Sequence, residues 1–172
     1  AHQYTVLIVD DMRSNVALLA DILGQHYRVL EARSGESALA IMQSDSPPDL
    51  VLLDVRMPGM DGYEVMRRAR IGVRTRNIPV LFVSSMSEAV DEEVGLELGA
   101  VDYLTKPVNS SIILARVRNH LALSERTRML SELSDKLSHY LSPQVYQMIF
   151  PGVQDATVRS QRKKLTIFFS DI

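Results

Sequence analysis

The sequence predicts an α/β protein: an open five-stranded parallel sheet with helices on both faces and a C-terminal α-helical extension. Three observations carry that expectation. Five apolar runs have strand length, the stretches between them carry apolar residues at helical spacing, and the connections are short and marked by Gly, Pro or capping residues. Runs that are apolar throughout point to a sheet covered on both sides, since a half-exposed strand would alternate apolar with polar residues.

Thr5 to Asp10 is the first strand, and Asp11 follows its terminal acid at once. From Met12 to Gly24, Val16, Leu19, Ile22 and Leu23 have helical spacing, with Gly24 as the expected stop. Tyr27 to Ala32 is the second strand. Ser34 to Ser44 forms a helix through Ala38, Leu39, Ile41 and Met42, and Pro47-Pro48 breaks the chain before the third strand, Leu50 to Leu53, with Asp54 at its end. Pro58, Gly59 and Gly62 force a tight loop, Asp61 caps the next helix with Glu64 as a capping-box partner, and that helix runs to about Ile71. A basic loop reaches Asn77. Pro79 to Ser84 is the fourth strand and Ser87 to Leu98 a helix with Glu88 and Asp91 near its start. Gly99 is its stop, and Asp102 to Thr105 is the fifth strand, with Lys106-Pro107 directly after it.

Composition limits the function classes. The chain has 172 residues, 46% hydrophobic and 23% charged, ordinary values for a water-soluble domain with an appendage. With no cysteine there is neither a disulfide framework nor a thiolate metal site, and a reducing cytoplasm is the expected location. No signal peptide is read at the N-terminus and no apolar run approaches the roughly 18 residues of a membrane span. Residues 1 to 120 carry 12 Lys/Arg against 16 Asp/Glu and the remainder 7 against 5, so no clustered basic face suggests nucleic acid. Neither membrane nor nucleic acid is an expected partner.

Asp54 is the first candidate site residue, because ligands in open α/β sheets bind outside the carboxyl ends of the strands. A strand-ending Asp could instead cap the following helix, but Asp61 fills that role. With strand order 2-1-3-4-5 the switch point lies between the first and third strands, which places Asp10, Asp11 and Asp54 in one crevice. Neighbouring carboxylates raise one another's pKa, and a hard divalent cation with oxygen ligands relieves them; Mg²⁺ is the expected ion.

From Thr5 to Leu121 these residues resemble the receiver domain of two-component response regulators. Asp10-Asp11 resembles the family's acidic pair, Asp54 with Met57-Pro58 and Asp61-Gly62 its phosphoacceptor segment, and Gly99 to Pro107 its final-strand signature. The resemblance implies a flavodoxin-like fold and phosphorylation of Asp54. It also implies Mg²⁺ held by Asp10, Asp11, Asp54 and the backbone carbonyl of Arg56, with Lys106 pairing the acceptor and then the phosphoryl group. Ser84 would donate to a phosphoryl oxygen, Tyr103 would rotate into the space that its loop vacates, and the bond before Pro107 would be cis. The implied partner is a sensor histidine kinase or phosphotransfer protein. Taken singly, each residue has a plainer reading: a helix N-terminal acid pair, a strand-end hydroxyl, a half-buried aromatic, a surface lysine. Ser85 departs from the small apolar residue that the family usually has there.

Beyond the fifth strand there is no Pro or Gly from Asn109 through Leu141, so the last helix is expected to continue. Leu114, Val117 and Leu121 belong to the domain's packing. Leu123, Leu130 and Leu137 then repeat every seven residues, with Leu133 and Tyr140 at the intermediate position and Arg126 breaking it, which reads as a short parallel dimer seam or a merely amphipathic helix. Ser142-Pro143 opens a second helix that ends before Pro151-Gly152, and Leu165 to Ile172 reads as a strand ending in acid. This tail resembles the approach to a class III nucleotidyl cyclase domain, with Asp171 as its first metal aspartate. The expected organisation is a receiver over residues 1–121, a helical linker over 122–158 and the first strand of a cyclase over 159–172. The remaining cyclase groups are absent, so the chain as given cannot cyclise a nucleotide. Two rivals stand beside this reading. A phosphoaspartyl phosphatase wants an Asp where Arg56 stands, and a phosphate-independent interaction module would be expected to have lost Asp54 or Lys106. A receiver joined to a different output also stays open.

Overall fold

The computed structural model describes residues 4–85 and 89–140. In chain order the elements are β1 (Thr5–Val9), α1 (Arg13–Gly24), β2 (Arg28–Ala32), α2 (Gly35–Met42), β3 (Leu50–Leu53), α3 (Gly62–Ile71), β4 (Val80–Ser84), α4 (Ala89–Glu97), β5 (Asp102–Thr105) and α5 (Ser110–Tyr140). The five strands are parallel and lie in the order β2-β1-β3-β4-β5. The chain divides into two compact units, Ala1–Arg126 and Thr127–Ile172. The sheet lies wholly in the first; the described part of the second is the end of α5, where Arg128 pairs with Glu132 across one helical turn at 3.7 Å.

Strand alternation sorts the apolar residues into two cores. Val6, Ile8, Leu50, Leu52, Leu81, Val83 and Leu104 pack with α1 (Val16, Leu19, Leu23) and with Ile113, Val117 and Leu121 of α5. Leu7, Val9, Val51, Leu53, Val80, Phe82 and Tyr103 face the other way, onto α2 (Ala38, Leu39, Met42) and α3 (Val65, Met66, Ala69). Because β1, β3 and β4 bury both faces, they have no polar side to show, and that is why they read as unbroken apolar runs.

Several local readings change. Ser34 lies outside α2 as its N-cap, and the capping box forms there, with Ser37, rather than at α3. Asp61 does accept from the Glu64 amide, but the Glu64 carboxylate is held by Arg67 at 2.8 Å and Arg68 at 2.7 Å on the next turn. Two guanidiniums are stronger partners for a carboxylate than one backbone amide. Gly24 is the last residue of α1 and not a left-handed stop, whereas Gly99, at φ +89°, does end its helix in that way. Leu114 is only partly buried, with Ile113 taking the innermost place. The strand starts at Val80 because Pro79 has no N–H to give the ladder. No described helix is long and apolar enough to cross a membrane. Glu88, the second linker helix, the terminal strand and Asp171 lie outside the described residues, as does the Asp91 side chain.

Gly62 fixes where α3 meets β3. A Cβ there would lie 2.3 Å from the Asp54 carbonyl oxygen and 2.9 Å from Val55 Cα, so backbone would have to move. A Gly62→Ala variant is expected to lose about 1–3 kcal/mol in urea denaturation through this overpacking. Gly24 has open space around it. Gly24→Ala is expected to gain up to about 1 kcal/mol from helix propensity, the opposite sign in the same assay.

Candidate functional site

Topology brings the site together at the C-terminal edge of the sheet. Asp10 directly follows β1 and its amide donates to Ala32 O at 3.2 Å; Asp54 directly follows the neighbouring β3 and its amide donates to Val9 O at 2.9 Å. The two acids are thus fixed by ladder bonds that continue one residue past each strand. Lys106 follows β5 and is held beside β4 by its amide, which donates to Ser84 O at 2.8 Å. The Lys106–Pro107 peptide bond is cis.

From there the Lys106 ammonium reaches across β4 and bridges both acids, donating to Asp10 Oδ2 at 2.5 Å and Asp54 Oδ2 at 3.1 Å. Asp10 is 1% exposed and Asp54 7%. Burial pushes the Asp54 carboxyl above its ordinary pKa and the nearby Asp10 carboxylate adds to the rise, while the bonds from Lys106 and the Arg56 amide oppose it. Burial pulls on Lys106 the other way, but the two carboxylates outweigh it and hold its pKa above the ordinary lysine value. One ammonium is therefore well compensated, and the second carboxylate is not.

Asp11, half-buried, adds a third. Asp10, Asp11 and Asp54 each offer a carboxylate oxygen, and these oxygens lie within 4.8 Å of one another. The donor set is all hard oxygen, carries excess negative charge and has one side open to solvent through Asp11, which fits a divalent ion of the Mg²⁺ class that keeps several waters. Among the described residues this is the one cluster of metal-ligating side chains.

The other expected positions fall around it. Ser84 ends β4, fully buried, opposite Thr105 in the ladder. Tyr103 pairs with Phe82 in register and is 8% exposed, its ring 6.1 Å from that of Phe82, which also meets Tyr63 edge-on at 5.4 Å. A Cβ on Gly95 of α4 would come within 3.0 Å of Phe82 and 3.2 Å of Tyr103, so α4 sits close over both rings. Arg56 is exposed, with its amide 3.4 Å from Asp54 Oδ1, and Ser85 is exposed.

Two contributors were missed in the sequence. Asn15, in the first turn of α1, donates to both Asp10 oxygens at 3.1 and 3.0 Å, and the Met12 amide donates to Oδ1 at 2.8 Å, so Asp10 has a fixed orientation. Arg33, just after β2, donates to the Asp11 backbone carbonyl at 3.0 Å. Asn15 was findable as a polar side chain one helical turn past an acid pair; Arg33 becomes a neighbour only through the pairing of β1 with β2.

The comparisons agree with this geometry. The profile of the family described as response regulator receiver domain matches residues 6–118. A Vibrio cholerae protein named "Probable cyclic di-GMP phosphodiesterase" is 44% identical over 135 residues, covering 78% of this chain and 30% of that protein. Response regulator PleD of Caulobacter vibrioides is 44% identical over 115 residues, covering 66% of this chain and 25% of PleD. The chain therefore spans less than a third of either relative. Among solved structures, Vibrio cholerae chemotaxis protein CheY4 superposes with a TM-score of 0.65 at 28% identity, over 69% of this chain and 98% of that one. With the profile covering well over half its length and the acid cluster, lysine and sheet order in place, this chain belongs to the response regulator receiver family.

Proposed function

We propose that Asp54 is the phosphoacceptor of this receiver and that its phosphorylation controls a C-terminal class III nucleotidyl cyclase through a dimeric helical linker. The observation that carries the first part is the Lys106 ammonium bridging Asp10 and Asp54 beside Asp11. An Asp54 carboxylate oxygen attacks the phosphorus of a phosphohistidine or small acyl phosphate; the P–N or P–O bond of the donor breaks as the aspartyl phosphate forms. A Mg²⁺ ion bound by Asp10, Asp11, Asp54 and the Arg56 carbonyl would supply charge neutralisation for the transferring group. Lys106 shifts from sharing two carboxylates to pairing a phosphoryl oxygen, and Ser84 donates its hydroxyl to another. Tyr103 follows the Ser84 loop inward. The partner is a histidine kinase or phosphotransfer protein, and the chain's own chemistry is limited to accepting and losing its phosphoryl group.

The cyclase output rests on the sequence around Asp171, and the dimer on the heptad positions of α5. An enzyme of cyclic di-GMP turnover is a second output reading, favoured by the name of the Vibrio cholerae relative, whose match covers 78% of this chain. Assay of the full-length parent with ATP, GTP and cyclic di-GMP separates the outputs by product.

Incubation with acetyl phosphate is expected to add one phosphoryl mass to the intact protein only when Mg²⁺ is present, and Asp54→Asn is expected to show none; a Mg²⁺-independent adduct would overturn the assignment. Stability gives an independent test. Because Asp54 has a raised pKa in the fold, its ionised form costs stability at neutral pH, and that cost disappears as pH falls below the ordinary carboxylate range. Without Mg²⁺, Asp54→Asn is therefore expected to melt above wild type at pH 7 and to lose that advantage at low pH. Adding Mg²⁺ at 100 times its Kd is expected to raise wild-type stability by about 2.7 kcal/mol and the variant's by less. Lys106→Ala, which leaves both acids uncompensated, is expected to cost about 3 kcal/mol without Mg²⁺. Finally, polar residues at Leu130 and Leu137 together are expected to abolish dimerisation in sedimentation, and an unchanged dimer would sink the linker reading.

A further inference from the structure

Arg126 lies three residues after Leu123 and four before Leu130, at the inner position that Leu133 and Tyr140 fill in the next two heptads. It is exposed, and it is the last residue of the first compact unit. In a parallel two-stranded seam, equivalent inner positions meet across the axis, so two Arg126 guanidiniums would face each other. The seam-edge positions around it are Ala122, Thr127 and Met129, none of them acidic. The nearest acids along the helix have other partners: Tyr4 donates to Glu125 Oε2 at 2.5 Å, and Arg128 pairs with Glu132.

We propose that Arg126 is an electrostatic gate in the linker dimer. Like-charge repulsion between the two copies holds the seam apart at this level, while Leu130, Leu133, Leu137 and Tyr140 close it below. The occupant of this helix face is thus a second copy whose approach at residue 126 is opposed, and a change in receiver pairing that overcomes the repulsion extends the seam toward Leu123. The gate rests on the dimeric linker proposed above. It assigns a regulatory cost to a residue that a purely structural coiled coil would have as Leu.

The test is the dimer Kd of the whole 172-residue chain by sedimentation equilibrium, for wild type, Arg126→Gln and Leu130→Asn/Leu137→Asn, at low and high NaCl. Gln keeps the length and helix propensity of Arg without its charge. Arg126→Gln is expected to lower Kd about tenfold at low salt. Wild type is expected to tighten toward the variant as the Debye length falls from about 30 Å at 0.01 M to about 3 Å at 1 M, and Arg126→Gln to stay nearly flat. Equal Kd values at low salt, in proteins that the Leu130→Asn/Leu137→Asn change makes monomeric, would overturn the gate and leave the dimer standing. Monomers for wild type and Arg126→Gln alike would overturn both.

Discussion

One ammonium against three carboxylates is the constraint on which the rest depends. Asp10 and Asp54 directly follow adjacent strands and their amides continue the ladder, so their separation is set by the sheet and neither can withdraw. Lys106 is positioned to compensate them, but a single charge shared at 2.5 and 3.1 Å leaves the cluster with excess negative charge. Asn15 and the Met12 amide donate to Asp10 and make its ionised form an oriented acceptor. Such a cluster favours any ligand that brings positive charge.

The fold places the consequence of that chemistry on one short strand. β5 is four residues long, and Lys106 follows it directly. Tyr103 lies in its middle under α4. Asp102, at its start, accepts from Arg116 at 3.1 Å and meets His120 Nε2 at 3.1 Å, both on α5. One strand therefore bears the lysine of the site, the aromatic ring beneath α4 and the acid that fastens the last helix. Any displacement of Lys106 has only the few residues of β5 over which to dissipate before it reaches the contacts of Asp102 with α5.

The sheet was legible because burial on both faces leaves a plain signal: Val6–Val9, Leu50–Leu53 and Val80–Val83 are apolar without interruption, and their polar endings all fall at one edge. Asp10, Asp54, Ser84 and Lys106 could be found for that reason. Arg33 could not, since its role depends on which strand lies beside which, and Asn15, although one turn past the acid pair, was passed over because a polar residue on a helix is ordinarily a solvated one. Glu64 was misread through a similar competition: spacing favoured the capping box, and two arginines one turn on were the stronger partners. Gly24 and Gly99 read alike in sequence, but only Gly99 takes a positive φ, because there the chain must turn sharply into β5 while Arg70 donates to its carbonyl at 2.7 Å.

The helix that leaves the receiver carries two kinds of information in one sequence. Up to Leu121 its apolar residues answer to the sheet, with Ile113, Val117 and Leu121 at spacings of four that suit a helix lying on a flat surface. From Leu123 onward the spacing becomes seven, the period of helices that wind about each other. A period of 3.6 and one of 3.5 drift apart by about 20° per heptad, so the change of pattern marks where the helix stops being read by its own sheet. Tyr4 and Glu125 fasten it to the start of β1 close to that point. Asp102 at the start of β5 and Tyr4 ahead of β1 thus both hold α5, so the position of the helix is tied to the sheet at two levels.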